Sequence, residues 1–174
     1  MLDAAVMSDS QPALADSFEQ VVRQGETQVL RTAYRILGNW ADAEDVAQEV
    51  FLRLFRHGIN FPSDAALRSW LYRVSVNLCL DRTRSSKGFQ ELPELIANDA
   101  SAEAAMITEQ RKRTLMAALG TLPAKERAAI VLREIEGLST AEVAAILGSS
   151  DGTVRSQVAN AIGRLRSILG REKS

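Results

Sequence analysis

In "GLSTAEVAAILGSSDGTVRSQVANAIGRLRSIL", residues 137–169, Ser139 and Glu142 stand at the spacing of a capping box, which starts a helix just after Ser139. That helix is short and ends at Gly148, a residue able to take a left-handed turn. Ala144, Gly148 and Val154 then carry the small, Gly, branched spacing of a helix-turn-helix. The second helix sets Val154, Val158, Ala161 and Leu165 at i, i+4, i+7 and i+11, which predicts a buried stripe. Opposite them lie Thr153, Ser156, Asn160 and Gly163, edged by Arg155 and Arg166 on one side and by Gln157 and Arg164 on the other. A face of hydroxyls and amides with flanking arginines suits a DNA major groove, the polar groups meeting base edges and the cations meeting phosphates.

Helical periodicity extends outward from this stretch through most of the chain, and no run alternates at period two for long enough to form a strand. Helices are expected at about 17–37, 41–57, 64–85, 105–120, 124–136, 140–147 and 151–168. The stretch "SSKGFQELPELIANDAS", 85–101, has Ser-Ser, Gly, Pro and Asn-Asp with little periodicity, the composition of a linker. The fold class is therefore all-α: two small helical domains, 17–87 and 106–174, joined by a flexible linker at 88–105, with 1–16 as a flexible tail and the helix-turn-helix in the C-terminal domain.

A formal net charge of −1 over 174 residues gives no global field to draw the molecule onto a polyanion, so any such binding is local. Residues 66–87 hold five cations against one acid, and residues 108–174 hold eleven Lys and Arg against seven Asp and Glu. The acids concentrate in 41–50 and 88–107, where no cation occurs. One cysteine, Cys79, excludes an internal disulfide and a Cys-based zinc site, and fits a small core residue in a reducing cytosol. The start "MLDAAVMSDSQPALAD" has neither a basic n-region nor a long apolar run, so neither export nor a membrane span is indicated. With one His, one Cys, no Gly-rich phosphate loop and no carboxylate spacing for a metal, no enzyme and no cofactor are expected. His57, beside Gly58, reads as a helix C-terminal residue favoured there by the dipole.

In "ADAEDVAQEVFLRLFRH", 41–57, Ala43, Val46, Ala47, Val50, Phe51 and Leu54 share one face, and Asp42, Asp45, Glu49, Arg53 and Arg56 share the other. Leu52 sits within the charged face, an apolar anchor inside an acidic rim, which fits a protein partner. The next helix, "DAALRSWLYRVSVNLCLDRTRS", sets Trp70 and Tyr72 beside Arg68, Arg73, Arg82 and Arg84, with Asn77. Aromatic groups next to cations can stack unpaired bases and hold a single strand, though Trp70 also reads as a core residue.

The order "RILGNWADAEDVAQEVFLRLFRH", "LRSWLYRVSVNLCLDRTRS", linker, "LPAKERAAIVLREIEGLSTAEVAAILGSSDGTVRS" resembles the bacterial RNA polymerase sigma factors of the extracytoplasmic-function group, over residues 18–168. The resemblance implies that Asp45, Gln48, Glu49 and Leu52 dock on the clamp helices of the largest subunit of core RNA polymerase. It implies that Trp70, Arg73 and Asn77 open the promoter minus-ten element and hold a flipped base. It also implies minus-thirty-five contacts from Arg133, Thr153, Arg155, Ser156, Ala159 and Asn160, a linker threading the polymerase cleft, and an anti-sigma factor as a further partner. The chain departs from the group at Gln157, Asn160 and Ile162, where basic residues are frequent, so fewer phosphate partners and an altered base preference are expected. The rival reading is a stand-alone helix-turn-helix regulator, which leaves the N-terminal motifs unexplained.

Overall fold

The computed structural model describes residues 10–84 and 102–171, all of whose regular elements are helical. α1 (Ser10–Leu37), α2 (Trp40–His57) and α3 (Asp64–Thr83) form an N-terminal bundle. α4 (Ala102–Gly120), α5 (Ala124–Ile130), α6 (Thr140–Leu147) and α7 (Asp151–Arg171) form the C-terminal half.

The caps explain where these helices start. Asn39 Oδ1 accepts from the Asp42 N–H at 3.1 Å, and Ser63 Oγ accepts from the Ala66 N–H at 3.1 Å, each satisfying an orphan donor of a first turn. The box on α6 closes in both directions: Ser139 Oγ accepts from the Glu142 N–H, and Glu142 accepts from the Ser139 N–H at 2.7 Å. Hydrogen bonding to the carboxylate from the Ser139 N–H first, and then from the Ser139 hydroxyl, holds the Glu142 carboxyl below its ordinary pKa. At the other end of α6, Gly148 takes φ +62° and returns its N–H to the Ala144 carbonyl, so the chain turns at once into α7.

Several boundaries differ from expectation, four of them for identifiable reasons. α1 starts at Ser10, so the tail reading ran too far: Pro12 lies in the first turn, where its missing N–H costs no helical bond, and Ala13 to Ala15 continue it. α4 starts at Ala102, inside the expected linker, because Ala102, Ala104 and Ala105 favour helix without giving an apolar period. The third helix ends two residues early, at Thr83, whose Oγ1 donates to the Leu80 carbonyl. The expected helix 124–136 divides into α5 and a π-helical segment, Val131–Ile135, in which the Glu136 N–H bonds the Val131 carbonyl at 2.9 Å.

The two halves pack together, and their buried residues form one continuous core from Val29 to Ala161. Val46, Val50, Leu54, Val76 and Cys79 fill the N-terminal part; Leu119, Leu132, Val143 and Val154 fill the C-terminal part. Burial pushes the Cys79 thiol up to about 12. Polar groups key the seam. Arg127, buried, donates to the carbonyls of Leu119 (2.7 Å), Gly120 (3.2 Å) and Leu122 (2.8 Å), and across the seam to Ile36 (2.6 Å). One guanidinium thus serves the C-terminal carbonyls of both α1 and α4, the groups that a helix leaves without partners. Burial lowers its pKa to about 10, so it stays charged at neutral pH.

Glu136 makes the second key. It accepts from Thr32 Oγ1 (3.0 Å) and Arg35 (2.8 Å) on α1, and from the Tyr72 hydroxyl (3.0 Å) on α3. Gln28 donates in turn to the Tyr72 oxygen. The burial of Tyr72, then the Glu136 carboxylate, pushes its phenol up to about 12.

Candidate nucleic-acid and partner interfaces

Residues from the first site region divide along α2 as the periodicity predicted, with Ala43, Val46, Ala47, Val50, Phe51 and Leu54 buried. Asp45 and Gln48 are exposed and Glu49 is half-buried. Leu52 is 50% exposed, and one turn on Phe55 is 68% exposed. Together with Phe18 and Val22 of α1, they line a groove of about 820 Å³ rimmed by Glu26, Glu44 and Gln48. Phe55 escaped the sequence reading, although its i, i+3 spacing from Leu52 was a signal that the apolar anchor is a pair.

The carboxylates on this face are not bare. Arg82 of α3 lies 3.1 Å from Asp42 and 3.5 Å from Asp45, and Arg53 lies 2.8 Å from Glu49. The Arg53 hydrogen bond, with the charges of Arg53 and Arg56, holds the Glu49 carboxyl below its ordinary pKa. Glu49 therefore remains ionised near neutral pH, in an acidic face with a few built-in counter-charges.

On α3 the structure brings Trp70, Arg73 and Asn77 to the outside: Arg73 and Asn77 are exposed and Trp70 is half-buried. The Trp70 ring packs on Phe61 (centroids 5.8 Å) and His57 (5.3 Å), so its position is fixed from one side. His57 ends α2 as expected and stacks on Phe61 at 5.1 Å. Two members of the expected aromatic and cationic face are placed elsewhere. Tyr72 is buried in the seam, on the stripe it shares with Ser75, Val76 and Cys79, and Arg82 turns back to the acids of α2.

On α7, Val154, Val158 and Ala161 are buried, whereas Thr153, Arg155, Ser156, Ala159 and Asn160 are all exposed. Leu165 is only half-buried, packed against the edge of the core. Arg164 pairs with Glu126 of α5 at 3.1 Å, which spends it on holding α7. Arg133, half-buried, falls in the π-helical segment. The expected linker path lies outside the described residues. Among the described residues no group of His, Cys, Asp and Glu gathers to hold a metal, and no helix is long and apolar enough to cross a membrane.

Residues 21–88 match the family described as Sigma-70 region 2, and residues 112–165 match Sigma-70, region 4, which gives the class. Among relatives, the ECF RNA polymerase sigma factor SigE of Mycolicibacterium smegmatis is 40% identical over 93% of this chain, which spans 65% of the relative's length. SigM of Mycobacterium tuberculosis, also an ECF RNA polymerase sigma factor, is 35% identical over 88% of this chain and 78% of its own length. The solved structure of CnrH in complex with the cytosolic domain of CnrY has a TM-score of 0.67 at 26% identity, covering 90% of each chain. The chain belongs to the ECF RNA polymerase sigma factors.

Proposed function

We propose that the chain binds core RNA polymerase and directs it to promoters through two DNA elements. The observation that carries this reading is the exposure of Thr153, Arg155, Ser156, Ala159 and Asn160 over the buried stripe of a capped helix-turn-helix. Arg155 and Arg133 meet phosphates at the minus-thirty-five element while Ser156 and Asn160 face base edges; Asn160 is matched to adenine. Trp70, Arg73 and Asn77 meet the minus-ten element, where an extruded base needs an aromatic surface and polar groups that offset unstacking. Asp45, Gln48, Glu49 and Leu52 meet the clamp helices of the largest polymerase subunit, with Phe55 seated beside Leu52 in the same groove. An anti-sigma factor covering this acidic face would compete with polymerase for it.

The test is affinity for sigma-free core polymerase of the wild type and of Asp45→Lys/Glu49→Lys. The reversal is expected to weaken binding tenfold or more, about 1.4 kcal/mol. A folded wild type that does not bind would instead favour an operator-binding regulator.

A further inference from the structure

Gln24, Gln28, Arg31 and Arg35 stand at i, i+4, i+7 and i+11 on α1, so one face of that helix is a stripe of hydrogen-bond donors. On a lone helix such a stripe is an ordinary solvated face. Here it forms one wall of a cleft of about 540 Å³, whose other sides are Arg68 of α3 and the turn at Gly137. That volume falls within the range of small-molecule sites, about 300–1,000 Å³. Two carboxylates, Glu136 and Glu142, also line the cleft, and both are engaged. Glu136 accepts from Thr32, Arg35 and Tyr72 through its two oxygens, and Glu142 accepts from the Ser139 N–H. Arg31 and Arg68 are left over: both are exposed, and among the described residues neither forms an ion pair. The charge of Arg68 acts on Tyr72 and on Glu142, which places its guanidinium at the cleft.

We infer that this cleft binds a small organic polyphosphate, a molecule of the nucleoside diphosphate class, held by Arg31 and Arg68 from two helices. A guanidinium suits phosphate because its planar N–H fork pairs two oxygens at once. Two unpaired guanidiniums on different helices call for more than one anionic group. Three arginines against two carboxylates leave the cleft net positive. Neutral donors stand beside the cations: Gln28 spends one amide N–H on Tyr72 and keeps the other, and Gln24 and Thr27 add an amide and a hydroxyl. Ile135, 38% exposed, and Leu138 supply apolar ground for the organic part of the ligand. Between them Gly137, at φ +74°, puts no side chain into the cleft mouth, and even a Cβ there would meet nothing within 4 Å. Trp70, Arg73, Asn77 and the outer face of α7 do not line this cleft, so the site is separate from the DNA faces and does not rest on the promoter-reading function.

The experiment is titration calorimetry of the full chain with ADP, pyrophosphate, orthophosphate and adenosine, without added metal, at about 0.15 M salt, where diffuse surface attraction is screened. ADP is expected to bind saturably at one site, pyrophosphate about tenfold more weakly, and orthophosphate and adenosine not measurably. Arg31→Gln and Arg68→Gln should each weaken ADP fivefold or more. Both positions are exposed and unpaired, so the variants should fold, which thermal melts check. Arg111→Gln, an exposed cation of α4 outside the cleft, should change ADP affinity less than twofold. Absence of ADP binding by the folded wild type overturns the site. Equal losses in all three variants overturn it too, since they would report diffuse charge only. Pyrophosphate binding as tightly as ADP overturns the organic part of the assignment. A single-stranded oligonucleotide that binds through the same two arginines tenfold more tightly than ADP gives them to nucleic acid and overturns the small-molecule reading.

Discussion

Cys79 and Arg127 show how single side chains report on or support the whole core. Cys79 is fully buried and its thiol is held up near 12, so thiolate forms only when the N-terminal bundle opens. Disulfide-exchange labelling at pH 8 is expected to run about a thousandfold or more slower in the native chain than in urea, a ratio set by the stability of a typical domain. Rapid native labelling would show the bundle to be loose. Replacing Arg127 with Met keeps the volume but strips four carbonyls of their donor, and should lower stability by about 3 kcal/mol in urea melts. At the DNA face, Arg155→Ala should cut the slope of log affinity against log salt by about one, the share of one phosphate contact. Asn160→Arg should move the preferred base at one position from adenine toward guanine in a selection from random duplexes.

At the scale of elements, α6 depends on its two ends because it spans only eight residues. Ser139→Ala should cost about 1 kcal/mol by removing the box. Gly148→Ala should cost about as much, since alanine at φ +62° is strained even with open space around it. These elements were readable from sequence because their signals are local: Ser139 to Glu142, Gly148, and the periodic stripe of Val154, Val158 and Ala161. The exposed side of α2 was readable for the same reason. What the sequence did not reveal is how the halves meet. Glu136 follows a π-helical segment that has no sequence rule, so its direction could not be projected from a 100° period. Tyr72 looked like a base-stacking group from its neighbours, while its burial is dictated by residues on α1 and after α5, far along the chain. Arg82 was assigned to the basic patch by count, and only packing shows that Asp42 and Asp45 claim it.

The molecule as a whole should respond to pH through Tyr72. Its phenol titrates near 12 when folded and near 10 when unfolded, so between these values the unfolded chain holds fewer protons than the folded one. The stability this group contributes is complete below pH 10 and is lost as pH rises toward 12. Unfolding midpoints should therefore fall over that window more steeply for the wild type than for Tyr72→Phe; parallel curves would place the phenol in water. The bonds that close the seam also join residues far apart in the chain, 104 positions from Thr32 to Glu136 and 101 from Arg35 to Glu136. During synthesis at about 5–20 residues per second, the last residue of α3 is made roughly 3 to 11 seconds before Glu136. Each newly made copy thus passes through an interval in which Thr32 and Arg35 have been made while the carboxylate that joins them to the C-terminal half has not.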